Sequence, residues 1–452
     1  MTRKSIPLSL HDTLTRATQP VLPDDRKTLR FYCCGPTVYG AAHIGNFRTF
    51  VLQDVFRRVL EASGTATLHV RNLTDVDDKT ILRSREEGKS LAEFCAHWTA
   101  RFHVDCAALN LLPPHIEPGA VAHIPEQIAL IKRLIGKGHA YLGADGSVYF
   151  SIASFPGYGK LSRLEGRSIT TSRMVDDEYG RDSAADFVLW KKHRPEDGAN
   201  HWPSPWGDGR PGWHIECSAM AMKHLGESFD LHSGGVDLIF PHHENEIAQS
   251  EAATGKPFAR HWFHIAHLLV DGGKMSKSSG TMHTLDDIRA LGFSAEELRY
   301  VLIAGSYRQP LNFTIASLSA ARKALTRLRD FRSKLNAASS ETADPFEPVM
   351  DALRDDLNTP EALGRLFTII RQCATENVPA AAFDHVMRTL GFTLEVPTTT
   401  AIPAEIEALA AQRWDAKLRR DFAAADTFRS QLATAGWQVA DAADSYQLSP
   451  FP

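Results

Sequence analysis

Between residues 29 and 75 the sequence changes its apolar period twice. The run 29–34 reads as a short strand, and Gly35-Pro36-Thr37 with Gly40 and Gly45 makes a glycine-rich turn into a helix. In that helix Phe47, Val51, Val55 and Val59 recur every four residues, Arg57 and Arg58 lie off the stripe, and Gly64 supplies a left-handed stop. Residues 67–71 then alternate polar and apolar into Asn72-Leu73-Thr74-Asp75. Strand, helix and strand form one βαβ unit, which requires a parallel sheet with ligands at its carboxyl edge, where loop 35–46 lies.

A chain of 452 residues has room for about three domains, so this unit is only the start. Residues 115–200 break the pattern with a helix at 123–137 and a hairpin around Asp145-Gly146, which reads as an insertion between two sheet halves. The sheet resumes after the 203–212 loop, and 265–270 reads as a further strand ending in Asp271-Gly272-Gly273. Beyond Asn312 the chain turns helical, with Leu318, Leu325, Leu328, Phe331 and Leu335 on one stripe. Pro397-Thr398-Thr399-Thr400 has linker composition, and a helix from Ala404 opens a small alanine-rich unit. The sheet domain and the helical region are expected to bury separate cores joined near residue 312.

Charge excludes bulk polyanion binding: 50 Lys and Arg stand against 54 Asp and Glu, a net −4. No apolar run approaches the roughly 18 residues of a membrane span, and the N-terminal residues lack a secretory core. Six cysteines in so long a chain do not make a disulfide framework, so the expected compartment is reducing. Ten of the 20 histidines fall between His201 and His283, which makes that window the first place to look for a site.

Two constellations carry chemistry. The first joins His43-Ile44-Gly45-Asn46, at the mouth of the first helix, with Lys274-Met275-Ser276-Lys277-Ser278, after the Gly272-Gly273 loop. Alone, the former reads equally as a capping histidine and the latter as a solvated loop. Together, in this order and flanking an insertion, they resemble the two signature motifs of class I aminoacyl-tRNA synthetases. The chemistry agrees, because carboxylate attack on the α-phosphate of ATP spreads negative charge that needs donors and cations already in place. The second constellation is Cys34, Cys217 and the 241–246 segment. If Pro241 starts a helix, His242 and Glu246 share a face, and the two thiols would complete a four-ligand zinc site. Spacing alone leaves the other readings open: buried apolar cysteines and a surface ion pair.

Phe31-Tyr32-Cys33-Cys34-Gly35-Pro36-Thr37-Val38-Tyr39, Asn72-Leu73-Thr74-Asp75-Val76-Asp77-Asp78-Lys79, Pro211-Gly212-Trp213-His214-Ile215-Glu216-Cys217-Ser218-Ala219-Met220 and the run from Phe240 to Ser250 resemble the cysteinyl-tRNA synthetase family. The resemblance spans nearly the whole chain. It implies an α/β fold: a Rossmann-like parallel-sheet catalytic domain with an α+β insertion, then a helical anticodon-binding domain and a small C-terminal unit. The implied division is 1–114 and 201–264 for the catalytic halves, 115–200 for the insertion, 265–312 for the signature loop and stem-contact region, 313–396 for the helical domain and 403–452 for the terminal unit.

The resemblance further implies His43, Asn46, Lys274 and Lys277 as catalytic residues, with Lys277 gripping the departing pyrophosphate. Asn46 stands where the family's motif usually has His and still offers an amide donor. One zinc ion per chain falls on Cys34, Cys217, His242 and Glu246. Gly35, Thr74, Trp213, Asp237 and Lys277 line the adenylate pocket, with His214 and His243 beside it. ATP with Mg²⁺, L-cysteine and tRNA(Cys) are the implied substrates in a cytoplasmic enzyme with no membrane and no obligate protein partner. For Asp75, Asp77 and Asp78, structural roles for at least two outweigh an approach to Mg²⁺. In the terminal part, Phe422 is a candidate to stack on a base and Asp426 or Asp441 to accept from one, since 15 basic and 18 acidic residues over 313–452 rule out readout by bulk charge. The tail 444–452 lacks the basic ending usual in the family.

Two rivals remain at this level. A cysteine ligase acting on an amino sugar shares the catalytic half but lacks the helical module. A catalytically silent tRNA-binding paralogue would show eroded signatures, and both are present here.

Overall fold

The computed structural model describes residues 7–164, 173–174, 185–275, 281–335, 344–375, 378–395, 403–441 and 446–450. The chain opens with an antiparallel hairpin, β1 (Ser9–Asp12) and β2 (Ala17–Pro20). β3 (Thr28–Cys33), α1 (Ile44–Ala62) and β4 (Ala66–Arg71) follow, with β3 and β4 parallel, as the periodicities require. A capping box opens α1: the His43 ring accepts from the Asn46 N–H at 3.2 Å, and Asn46 Oδ1 accepts from the His43 N–H at 3.1 Å. Phe47, Val51, Val55 and Val59 are wholly buried, and Gly64 takes a φ of 83° after the last turn. α2 (Asp78–Glu86) and α3 (Leu91–Ala108) complete this half.

The insertion runs through α4 (Ile124–Gly136), the antiparallel pair β5 (Ala140–Leu142) and β6 (Val148–Phe150), then β7 (Arg173–Met174), β8 (Asp186–Lys192) and β9 (Gly209–Pro211). Its core is closed by the next two helices, α5 (Trp213–Leu225) and α6 (His242–Thr254), through Ile215, Ala219, Ala248 and Ala252 packed with Leu134, Phe187 and Trp190. Between and after those helices lie β10 (Phe229–Gly235) and β11 (Ala259–Ile265), giving a parallel sheet in the order β11-β10-β3-β4. The winding of the sheet reverses between β3 and β10: one crossover leads from β3 outward to β4, the other from β10 outward to β11. The loops leaving those two strands therefore part and open a crevice at the carboxyl edge, where ligands bind in such sheets.

The expected strand 265–270 is two strands. Ile265 ends β11 in the main sheet, and β12 (Leu268–Val270) belongs to a second sheet with β13 (Gly273–Lys274) and β14 (Leu311–Phe313). The break has a polar cause that no apolar period reveals: the Ala266 N–H donates to Tyr307 O at 2.8 Å and the buried Arg48 guanidinium donates to Ala266 O at 3.0 Å. α7 (Leu285–Ala290) and α8 (Ala295–Ile303) lead to the helical region, α9 (Ile315–Ser333), α10 (Glu347–Arg354), α11 (Thr359–Gln372) and α12 (Ala380–Leu390). α13 (Ala404–Leu418), α14 (Phe422–Thr434) and the hairpin β15 (Trp437–Asp441) and β16 (Tyr446–Pro450) form the terminal unit, with its own small core around Ile406, Ala410, Leu432 and Trp437. Among the described residues no helix is long and apolar enough to cross a membrane.

The expectation of separate cores meeting near residue 312 is corrected. One continuous apolar cluster runs from Phe31 and Val55 of the sheet domain to Leu325, Met350, Val386 and Leu390 of the helical region. Polar ties reinforce the seam. Arg58 donates to Asp54, Asn110 O and Arg388 O, and the fully buried Arg299 donates to Asp54, Leu109 O and Leu390 O. Uncovering a large apolar side chain costs about 1.5–3 kcal/mol, so exposing a handful exceeds the roughly 5–15 kcal/mol that holds a domain together. A chain ended at residue 312 is therefore expected to bind a hydrophobic dye and to lack the cooperative melt of the whole protein. An unchanged melting transition would show that the seam contributes little.

Candidate active site

The four candidate ligands arrive on three supports: the end of β3, α5 and α6. Cys34 follows β3 directly, with its N–H donating to Ser233 O of β10 at 3.1 Å. Cys217 sits on α5, and His242 and Glu246 share one face of α6, as the i, i+4 spacing predicts. All four are buried, with candidate ligand atoms within 4.8 Å of one another. Cys34 Sγ lies 4.0 Å from Cys217 Sγ and 3.9 Å from Glu246 Oε1, and His242 Nε2 lies 3.1 Å from Glu246 Oε1.

The cluster is polarised from within. Burial pushes the Cys34 thiol well above its ordinary value. Burial acts the same way on Cys217, but the Cys34 hydrogen bond and the charge of His242 overcome it and bring that thiol down to about 6. For His242, burial disfavours charge, yet Glu246 and Cys217 raise it to about 10. Glu246, despite burial, is drawn down to about 2 by His232 and His242. A buried set holding thiolate and carboxylate is the donor chemistry of a soft, doubly charged cation.

Sequence reading placed His214 and His243 beside the pocket and missed His232 and His264. His214 Nδ1 is 3.0 Å from His242 Nδ1, His232 Nε2 is 3.0 Å from Glu246 Oε2, and His243 Nε2 is 3.3 Å from Cys34 Sγ. His264 Nε2 in turn meets His243 Nδ1 at 2.7 Å. The signal for them was present in the histidine clustering, but strand residues such as His232 and His264 reach the site only through the β10–β11 register. The structure also brings Cys34, His232, His243 and Glu246 within the same reach, an overlapping set of four.

At the carboxyl edge, Gly35 accepts no side chain: a Cβ there would lie 1.7 Å from Asn72 O. Its N–H donates to Asn72 Oδ1 at 2.9 Å, and Asn72 donates to the Thr74 hydroxyl at 3.2 Å, so Gly35 and Thr74 meet at the crevice mouth. Gly35→Ala must displace main chain, and a loss of about 1–3 kcal/mol is expected in denaturant unfolding. Trp213 lies over His242 with ring centroids 4.3 Å apart. Asp237 is exposed in the turn after β10, close enough to Gly235 that a Cβ there would lie 2.3 Å from Asp237 Oδ1.

The two signature segments adjoin. A Cβ at Gly45 would lie 2.1 Å from the tip of Met275, and Ile44 N–H donates to His283 O at 2.9 Å. Of Lys274 the backbone is described, in β13 opposite Leu269, while Ser276, Lys277 and Ser278 lie outside the described residues. The three aspartates have structural tasks. Asp75 accepts from the Val121 N–H, Asp77 caps α2, and Asp78 pairs with Lys191 and Arg210. In the terminal unit Phe422 is 63% exposed and Asp426 is exposed, whereas the Asp441 carboxylate is taken up by Arg413 at 2.6 Å and Lys417 at 2.9 Å. That pairing removes Asp441 as a ready acceptor for a base.

The chain is similar to known proteins over nearly its whole length. The family described as tRNA synthetases class I (C) catalytic domain matches residues 20–323, and the DALR domain matches 348–394. The cysteine–tRNA ligase of Opitutus terrae is 55% identical over 98% of this chain and 99% of its own, and that of Chlamydia felis is 44% identical over 96% of each. Among solved structures, Mycobacterium tuberculosis methionyl-tRNA synthetase with methionyl-adenylate superposes with a TM-score of 0.55 at 14% identity, covering 86% of this chain and 84% of that one. A LeuRS–tRNA–LeuAMS complex from Agrobacterium radiobacter gives 0.56 at 12% identity over 80% and 83%. The distant structures share the fold; the full-length sequence matches do more, and by them the chain belongs to the cysteine–tRNA ligase family of class I aminoacyl-tRNA synthetases.

Proposed function

We propose that this protein activates L-cysteine with ATP and transfers the cysteinyl group to the 3′ end of tRNA(Cys), with Cys34, Cys217, His242 and Glu246 holding one zinc ion. The observation that carries the reading is the buried two-thiol, imidazole and carboxylate cluster at the sheet's switch point, beside Gly35 and Thr74. When bound, zinc supplies a thiophilic centre that a cysteine thiolate suits and a serine hydroxyl does not.

In the first step a carboxylate oxygen of the amino acid forms a bond to the α-phosphorus of Mg²⁺-bound ATP, the α–β anhydride bond breaks and pyrophosphate leaves. His43, at the N-terminus of α1, donates to the crowded phosphate oxygens, where the helix end itself favours negative charge. The Asn46 oxygen is occupied in the capping box, so its contribution there comes from the amide donor. Lys274 and Lys277 supply cations to the departing pyrophosphate. In the second step the 2′-hydroxyl of the terminal adenosine attacks the cysteinyl carbonyl and AMP leaves.

The test is amino-acid-dependent ATP–pyrophosphate exchange with cysteine, serine and alanine, with and without tRNA. Exchange with cysteine alone, without a tRNA requirement, is the expected result. Equal exchange with serine, or none with cysteine, overturns the reading.

A further inference from the structure

The Asp355-Asp356-Leu357-Asn358-Thr359-Pro360 segment stands out in the sequence, yet Asp356 does not face outward from the helical region. Its Oδ1 accepts from the His11 N–H at 2.8 Å and the Tyr307 hydroxyl at 2.5 Å, and its Oδ2 accepts from Arg308 at 3.0 Å. The Asp356 N–H donates to Ser9 O at 3.0 Å. The turn that aims this carboxylate is strained: Asp356 and Leu357 have φ of 54° and 47°, in the left-handed region that favours glycine. Asp356 thereby ties the β1–β2 hairpin to the helical region.

The far end of the same hairpin reaches the back of the metal-ligand cluster. The buried Asp12 carboxylate accepts from the Trp262 N–H at 2.9 Å, and the Thr13 N–H donates to Trp262 O at 2.9 Å, so the hairpin grips β11 in a fixed register. From there a chain of buried polar contacts runs inward: Thr13 Oγ1 to His264 Nδ1 at 2.8 Å, His264 Nε2 to His243 Nδ1 at 2.7 Å, and His243 Nε2 to Cys34 Sγ at 3.3 Å. Each imidazole has both nitrogens engaged, so the hydroxyl at the start of the chain sets the orientation of two rings that end at a metal ligand.

We infer that Thr13 is a positioning residue for recognition of the substrate thiol, acting through His264 and His243, and that Asp356 holds the hairpin on which Thr13 is mounted. The inference rests on the functional reading above and adds to it which residues behind the ligands govern cysteine binding. Loss of the Thr13 hydroxyl leaves His264 Nδ1 buried without its partner, and the ring turns to find another, disturbing His243 against Cys34.

The test uses full-length protein in pyrophosphate exchange, with KM measured separately for cysteine and ATP. Thr13→Val, which keeps side-chain shape, is expected to raise the cysteine KM about 10-fold while the ATP KM stays within about twofold, and Thr13→Ser is expected to restore it. Asp356→Asn is expected to raise the cysteine KM about 3-fold and to add nothing to Thr13→Val, since both act through one hydroxyl. A cysteine KM unchanged in Thr13→Val, an equal rise in both KM values, or a Thr13→Ser variant as impaired as Thr13→Val overturns the inference. Should Thr13→Val or Asp356→Asn fail to fold, Tyr307→Phe, which removes one donor to Asp356, decides by the same cysteine KM. No cysteine-dependent exchange in the unaltered protein overturns the functional reading itself.

Discussion

Purified protein is expected to carry one zinc per chain, and Cys217→Ser or His242→Ala to lose most of it together with cysteine affinity. Each variant takes one of four buried donors that lie within 4.8 Å, and a three-ligand site holds the ion less well. His242→Ala does further damage, because it also removes the cation that helps keep the Cys217 thiol down near 6. The two thiols have a consequence for pH: a metal takes the place of the proton on each thiol that still carries one, Cys34 above all since burial holds its proton on, so metal uptake by the unaltered protein should weaken as pH falls. The larger effect concerns selectivity. Cysteine and serine differ by one atom, and a purely apolar pocket separates such pairs by about 10- to 200-fold. A metal–thiolate bond exceeds that range, so discrimination in pyrophosphate exchange should collapse toward it as zinc is withdrawn. If zinc-free protein activates cysteine fully and still rejects serine, the ligand assignment is wrong whatever the family.

Replacing His43 is expected to slow adenylate formation by on the order of 10²- to 10³-fold, because the lost donor is needed mainly in the transition state. The structure adds a second task to this residue, since its ring is half of the capping box on α1. His43→Ala therefore combines a chemical loss with about 0.5–2 kcal/mol of lost capping, visible as a lower melting temperature. His43→Asn separates the two, for asparagine is itself a favoured cap. Pyrophosphate exchange should fall in both variants, but Tm should fall in the alanine variant alone. Near-normal exchange in His43→Asn would assign His43 to capping and nothing more.

Local pattern was enough for the βαβ unit, the hairpin around Asp145-Gly146, the α6 face that joins His242 to Glu246, and the break into helices after Asn312. These depend on apolar period, turn chemistry and i, i+4 spacing, all of which act between near neighbours in the chain. Motif resemblance carried the four candidate ligands further than spacing could. What folding alone decided lies in contacts between distant segments. The core that fuses α1 to α10 and α12 is invisible in the sequence, because an apolar stripe shows that a face is buried and not what buries it. The strand expected at 265–270 divides because Arg48 and Tyr307, far away in sequence, take the polar groups of Ala266. Asp441 is claimed by Arg413, and Asp356 turns inward to a hairpin whose His11 lies 345 residues earlier. His232 and His264 reach the ligand cluster only because β10 and β11 pair in one register. Sequence thus determined which side chains this protein has for its chemistry and which elements carry them; the tertiary structure decided which of them meet, because a charge or a ring finds its partner only once the strands and helices bearing both have packed.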